Sequence, residues 1–242
     1  MTLAPRCCER ARRSAPAAIR ARRLAVVLAA IPAEAAAEPA ASVSIASEDR
    51  FRGEGTSDGR PVATINVGYD DARGPYLGTS VAAGATRRDG VQLLRAVHFA
   101  GYAHRVSPTL TIDAGASYHR YTRHATFEYA SRFTQVYVGA GTQRVWTRLF
   151  YSPNYNGAEG SATYAEVDAL LWSRSNWSLT GHVGALASIE RGRSAGVEID
   201  WRLGLARRLG RLSVSATWIG RRSLDHGGER TGALVLAAAR SF

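Results

Sequence analysis

The sequence contains no lysine: its 31 basic side chains are all arginine, set against 20 acidic ones, for a formal charge of +11 over 242 residues. Cysteine occurs only as the adjacent pair Cys7 and Cys8, a spacing that suits neither a disulfide nor a zinc site. Long apolar runs are missing too. The longest, Leu24 to Ile31, has eight residues and stops at Pro32, far short of the roughly 20 that a spanning helix needs. A helical membrane bundle is therefore excluded, and any membrane-crossing reading must use strands. A 45% hydrophobic fraction is equally too high for a disordered chain.

What is present begins with a basic segment. Arg6, Arg10, Arg12, Arg13, Arg20, Arg22 and Arg23 precede the apolar stretch from Leu24, and the small-residue stretch Ala33 to Ala37 follows it. This is the layout of a secretory signal peptide, cleaved after Ala35 or Ala37. Its long basic region also fits a true start codon downstream of Met1. Residues 1–37 are thus read as the signal and 38–242 as the exported domain. Removing the seven arginines together with Glu9 and Glu34 lowers the charge from +11 to +6. The basicity then gives little support to a nucleic-acid partner. Both cysteines leave with the signal, so the exported domain relies on a core or a closed hydrogen-bonded sheet.

From Ala41 onward the pattern has period two, broken every 15 to 20 residues by clusters of Gly, Pro, Asn, Asp or Arg. Ile112, Ala114, Ala116 and Tyr118 alternate with Asp113, Gly115, Ser117 and His119. Val197, Ile199, Trp201 and Leu203 alternate with Glu198, Asp200 and Arg202. Such segments are half-buried strands. Twelve can be marked, at 41–51, 61–69, 76–84, 92–103, 109–119, 127–139, 145–151, 163–172, 177–186, 196–205, 212–220 and 232–242. At about 9 to 12 residues most match a tilted transmembrane strand rather than the five or six of soluble sheets. Connections alternate between long and short, as outer loops and periplasmic turns do. The fold class expected is an all-β, transmembrane, antiparallel up-and-down β-barrel of about 12 strands, with 10 or 14 as alternatives. Tyr69, Tyr76, Tyr118, Tyr151, Tyr164, Trp177 and Trp218 stand near the segment ends, as in an interfacial girdle.

The last segment ends on Phe242, with Arg240, Ala238, Leu236 and Leu234 at steps of two before it. It resembles the C-terminal signature by which outer-membrane barrels are passed to the barrel assembly machinery. A second resemblance lies in Arg50-Phe51-Arg52-Gly53, Ser57 and Pro61, then Gly74, Tyr76 and Gly78. This pattern is similar to the start of the TorF-type porins, a proteobacterial outer-membrane family. That likeness implies a barrel in the outer membrane of a Gram-negative cell, in contact with outer-membrane lipid, with no catalytic set attached.

With the apolar face toward lipid, the alternate face encloses the lumen. Arg50, Arg52, Asn66, Asp113, His119, Glu166, Asp168, His182, Glu198, Asp200 and Arg202 are the candidate pore-lining residues, and Arg50, Arg52 and Glu54 would stand at the outer end of the first strand. Facing acids and arginines set a transverse field that grades small polar or charged solutes. The same charges can instead pair across a narrow bore and plug it. No enzyme is expected, since no nucleophile and base face the outer wall together. With no H-x-x-x-H, C-x-x-C or Gly-rich phosphate loop, no metal or cofactor is expected either. The function expected is passive diffusion through a porin-like channel. The alternatives are a non-conducting barrel acting as anchor or adhesin, and a soluble secreted ligand-binding barrel.

Overall fold

Alternating side chains make a strand with one oily and one wet face, and a sheet of such strands removes its own edges by closing. The computed structural model describes residues 38–86, 90–126, 131–155, 160–190, 196–224 and 230–242. The segment read as an export signal lies outside them. The twelve wall strands are β1 (Glu38–Ala46), β4 (Val62–Asp70), β5 (Pro75–Thr86), β6 (Gly90–Arg105), β7 (Thr111–Tyr121), β8 (Arg132–Gly141), β9 (Val145–Ser152), β10 (Gly160–Arg174), β11 (Trp177–Glu190), β12 (Gly196–Leu209), β13 (Leu212–Ser223) and β14 (Arg230–Ser241). Each pairs antiparallel with its neighbour in sequence, and β1 pairs with both β4 and β14, so the barrel is closed with 12 strands.

Two further strands, β2 (Arg50–Phe51) and β3 (Glu54–Gly55), form a small hairpin outside the wall ladder. The first wall strand therefore ends at Ala46, not at Phe51. Residues 47–61 belong to a connection, which moves Arg50, Arg52 and Glu54 off the wall.

Register assigns every side chain to a face. Ile45, Ile65, Leu77, Val138, Val167, Val183, Leu203, Leu234 and Leu236 are exposed on the outside. Their neighbours in sequence turn inward. Two bulges shift the phase. One, opposite the Ala82/Ala83 step of β5, buries Leu94. The other, between Leu170 and Trp172, leaves both Leu171 and Trp172 facing out. Five of the girdle candidates, Tyr69, Tyr118, Tyr151, Trp177 and Trp218, are outward and exposed, but Tyr76 and Tyr164 are buried in the interior. Tyr76 stands at even steps along β5 from the buried Ala82, and Tyr164 at even steps along β10 from the buried Ala162, so both rings fall on the inward phase.

The ends of the barrel differ. One end carries the short turns 71–74, 106–110, 142–144, 175–176 and 210–211, along with Glu38 and Ser241. The opposite end carries the 47–61 connection and the breaks after β5, β7, β9, β11 and β13.

Candidate functional site in the barrel interior

Residues 47–61 do not extend away from the barrel; they fold into it. Asp49 accepts two hydrogen bonds from Arg95 on β6, at 2.8 and 3.0 Å. Phe51 lies 5.4 Å from the His119 ring on β7 and 6.1 Å from Phe133 on β8. The Arg52 guanidinium is 3.9 Å from the centre of the Tyr164 ring and 5.3 Å from that of Tyr155, and it donates to Gln135 Oε1 at 2.9 Å. Glu54 reaches Arg221 on β13 at 3.2 Å, and Arg221 also holds Glu198 on β12. The connection thus begins beside β1 and β4 and grips strands from β6 round to β13.

Local chemistry shapes this fold. Arg50 donates to Glu48 and to the Gly53 carbonyl, both at 2.7 Å, which closes the hairpin on itself. Ser57 accepts from the Asp49 amide at 2.9 Å and donates to the Arg60 carbonyl at 2.9 Å. At the tip, Arg52 and Gly53 both adopt positive φ, 49° and 77°. Glycine is required at 53: a Cβ there would sit 2.7 Å from Arg221 Cβ and 2.9 Å from the Gly220 carbonyl oxygen. The residues Arg50, Phe51, Arg52, Gly53 and Ser57 therefore share one structural task, holding the segment inside the barrel, while the exposed Pro61 ends it, its carbonyl accepting from the Ala85 amide at 3.2 Å. Gly74 belongs to the β4–β5 turn, and Tyr76 and Gly78 face inward from β5.

Charge balance sets the Asp49 carboxyl. Burial alone would raise it, but the Arg95 guanidinium and the hydrogen bonds from Arg95 and Thr56 hold it below the ordinary carboxylate range. In the turn at the other end, hydrogen bonds from Arg73 draw the Asp71 carboxyl down to about 2.

Two polar networks line the wall below the segment. In the first, Tyr76 donates to Asp113 Oδ2 at 3.2 Å, Tyr137 lies 2.6 Å from the Tyr76 hydroxyl, and Arg148 donates to the same carboxylate oxygen at 2.9 Å. In the second, His182 stands between Asp168 at 2.8 Å and Asp200 at 3.1 Å. Tyr164 donates to Asp200 at 2.9 Å and lies 3.1 Å from the His182 ring. Arg202 donates to Asp168 at 3.2 Å. Gly184 leaves room for the Tyr164 hydroxyl, which a Cβ at 184 would obstruct. A cavity of about 140 Å³ lies beside the first network, lined by Tyr76, Phe99, Tyr137, Arg148 and Phe150.

Nine of the eleven residues read as pore-lining stand on the inward faces of wall strands, and all eleven fall into separate groups. Arg50 and Arg52 are on the inserted segment. Asn66, on β4, donates to Ser42 on β1 at 3.2 Å. His119 stacks on Phe133 at 4.5 Å, under Phe51. Asp113 belongs to the first network; Asp168, His182, Asp200 and Arg202 form the second, with Glu166 beside them; and Glu198 is tied to Arg221. Glu166, Asp168 and His182 offer ligand atoms within 4.8 Å of one another. The Arg202 guanidinium already contacts Asp168 and lies 2.9 Å from His182 Nδ1, so a cation there would have to displace it.

Several interior residues are not evident from the sequence alone. Arg95, Tyr137, Arg148, Phe150 and Arg221 all hold positions in these networks. Their common signal is inward phase on the strand, obscured on β9 by its eight-residue length and on β6 by the bulge. The opposite wall is different in kind. Ser213, Ser215 and Thr217 on β13, Ala237 and Ala239 on β14, and Ser44 on β1 are small and only part-buried. The interior is thus bulky and cross-linked along β6–β12, and lined mainly by small residues along β13, β14 and β1, where Ile219, Arg221 and Val235 are the larger exceptions.

A similar fold is known among solved membrane proteins. The KdgM porin aligns at 12% identity with a TM-score of 0.48, covering 84% of this chain and 99% of that one. An outer-membrane channel from Pseudomonas putida F1 aligns at 11% and 0.49, covering 88% and 97%. A chain solved in work on the in-meso crystallization of membrane proteins aligns at 11% and 0.52, covering 84% and 83%; at this identity the likeness is one of fold. No curated protein matches the sequence. A family described as "Bacterial protein of unknown function (Gcw_chp)" matches residues 30–231, most of the chain, and this protein belongs to that family.

Proposed function

We propose that the barrel is an outer-membrane, porin-like channel that passes small polar or charged solutes by passive diffusion. One observation carries this reading: a continuous apolar face of the wall looks outward, while the inward face mixes aromatic rings with charged and hydroxyl groups and is in part open to solvent. The Arg202 side chain is 37% exposed inside the barrel. A soluble barrel would expose this continuous apolar wall to water, whereas a bilayer covers it. The start resembling the TorF-type porins, the export signal read at 1–37, and Phe242 as the assembly signal all support the same location. In this role the eleven candidate residues line the pore, small solutes are the partners, and no nucleic acid is involved.

Acidic and basic groups alternate around the bulky wall and pair closely, so the lumen carries little net charge there, and discrimination by size outweighs discrimination by ion sign. The route left for solutes runs along the small side chains of β13, β14 and β1. The inserted segment 47–61 favours a second reading, a barrel closed at one end that serves as an anchor. Single-channel recording on residues 38–242 refolded into planar bilayers separates the two: discrete conductance steps support the channel, and a silent but folded barrel supports the anchor.

A further inference from the structure

Arginines on the inward faces find acids: Arg95 has Asp49, Arg148 has Asp113, Arg202 has Asp168 and Arg221 has Glu54. On the outward face, two arginines have neither an acid nor an aromatic ring to rest on among the described residues. Arg120 on β7 and Arg132 on β8 stand directly opposite each other in the ladder, both exposed, and neither has an acidic partner among the described residues. Like charges directly across a ladder repel, and their Cβ atoms are only about 4.5–5.5 Å apart. An anion between them turns that repulsion into two charge-assisted contacts.

The surroundings say where the anion comes from. Tyr118, 39% exposed, is the next outward residue on β7, and the wall beyond it is apolar: Ala116, Val136, Ala114 and Val138. Beside Tyr118 in the register are His98 and Thr134. His98 Nδ1 in turn lies 3.0 Å from the Thr79 hydroxyl. A patch of two guanidinia, an imidazole and hydroxyls thus borders the greasy wall at the end away from the short turns. At the other end the outward arginines are occupied differently: Arg207 lies over Trp177 and Arg240 over Phe242, both at 5.3 Å.

We propose that Arg120 and Arg132, with His98 and Thr134 beside them, form a docking site for the phosphate of a phosphorylated glycolipid of the lipid A type in the surrounding outer leaflet. The paired forks of guanidinium match phosphate oxygens two at a time. The proposal rests on the outer-membrane reading, with the long connections facing outward.

The test uses the folded barrel in non-ionic detergent and counts retained lipid by native mass spectrometry. The probes are bisphosphoryl lipid A, the same lipid without phosphate, and phosphatidylglycerol. The site predicts retention of bisphosphoryl lipid A over both other probes, and a loss of about tenfold or more in Arg120→Gln/Arg132→Gln. Arg207→Gln/Arg240→Gln keeps wild-type retention. Heat-modifiable migration reports folding, and Arg120→Lys/Arg132→Lys, which keeps the charge, should fall between wild type and the Gln pair. Equal retention of dephosphorylated lipid or phosphatidylglycerol, or unchanged retention in the Gln pair, overturns the proposal. Retention in a barrel that shows no conductance supports the site while overturning the channel.

Discussion

The Arg52 guanidinium rests 3.9 Å from the centre of the Tyr164 ring, although Arg52 belongs to the first connection and Tyr164 to β10, more than a hundred residues later. That contact is the keystone of the inserted segment, because Phe51, Phe150 and Tyr155 also surround the same guanidinium. A desolvated cation–π contact is worth about 2 kcal/mol. Arg52→Ala is expected to loosen the segment by about that much, exposing residues 47–61 to limited proteolysis while the barrel keeps its heat-modifiable migration. Cleavage no faster than in wild type would show that the segment is held by other contacts.

Acid should act on the other anchor. Because Asp49 is held below the usual carboxylate range, its pairing with Arg95 contributes fully above the unfolded value of about 4. The contribution fades as pH falls through the lower folded value. Channel recordings stepped from pH 7 to pH 3 are expected to show larger conductance steps at the acid end. Asp49→Asn should show them already at pH 7. Steps of the same size for wild type and Asp49→Asn at both pH values would remove Asp49 from control of the segment.

The outer wall gives a depth-dependent prediction. Leu203 is 50% exposed near the middle of β12, while its neighbour Arg202 faces the interior. Leu203→Arg should cost about 2–4 kcal/mol of folding into lipid vesicles, measured by urea titration of the refolded barrel. A change below about 1 kcal/mol would contradict a lipid-facing position.

On the small-residue wall, Ser215 stands level with Ala206 and Ala237. Ser215→Trp should leave folding intact and cut single-channel conductance severalfold, since it narrows the small-residue side proposed as the solute route. Unchanged conductance would place the solute path elsewhere.

Much of this architecture is legible in the amino-acid order, for a physical reason. A strand between lipid and lumen must alternate along its whole length, so Ile112 to Tyr118 and Val197 to Leu203 disclose both strand and phase. Three features escape that logic. The segment 47–61 has no period, since its side chains are fixed by partners distant in sequence such as Arg95, Tyr164 and Arg221, and from the amino-acid order alone it reads as an extension of the first strand. Tyr76 and Tyr164 sit where an interfacial ring would, but strand phase turns them inward. The bulge after Leu170 breaks the alternation, so β10 runs to Arg174 where the pattern reads only to 172. The interior charges were recognisable one by one; their grouping around His182 and around Asp113 depends on the register, which alternation alone does not give.

The account is tested most directly by recording single channels from wild type and from a variant in which residues 47–61 are replaced by a short turn. A polar lumen narrowed by that segment predicts small steps in wild type and steps severalfold larger in the variant. A folded variant that remains silent in the bilayer would contradict it.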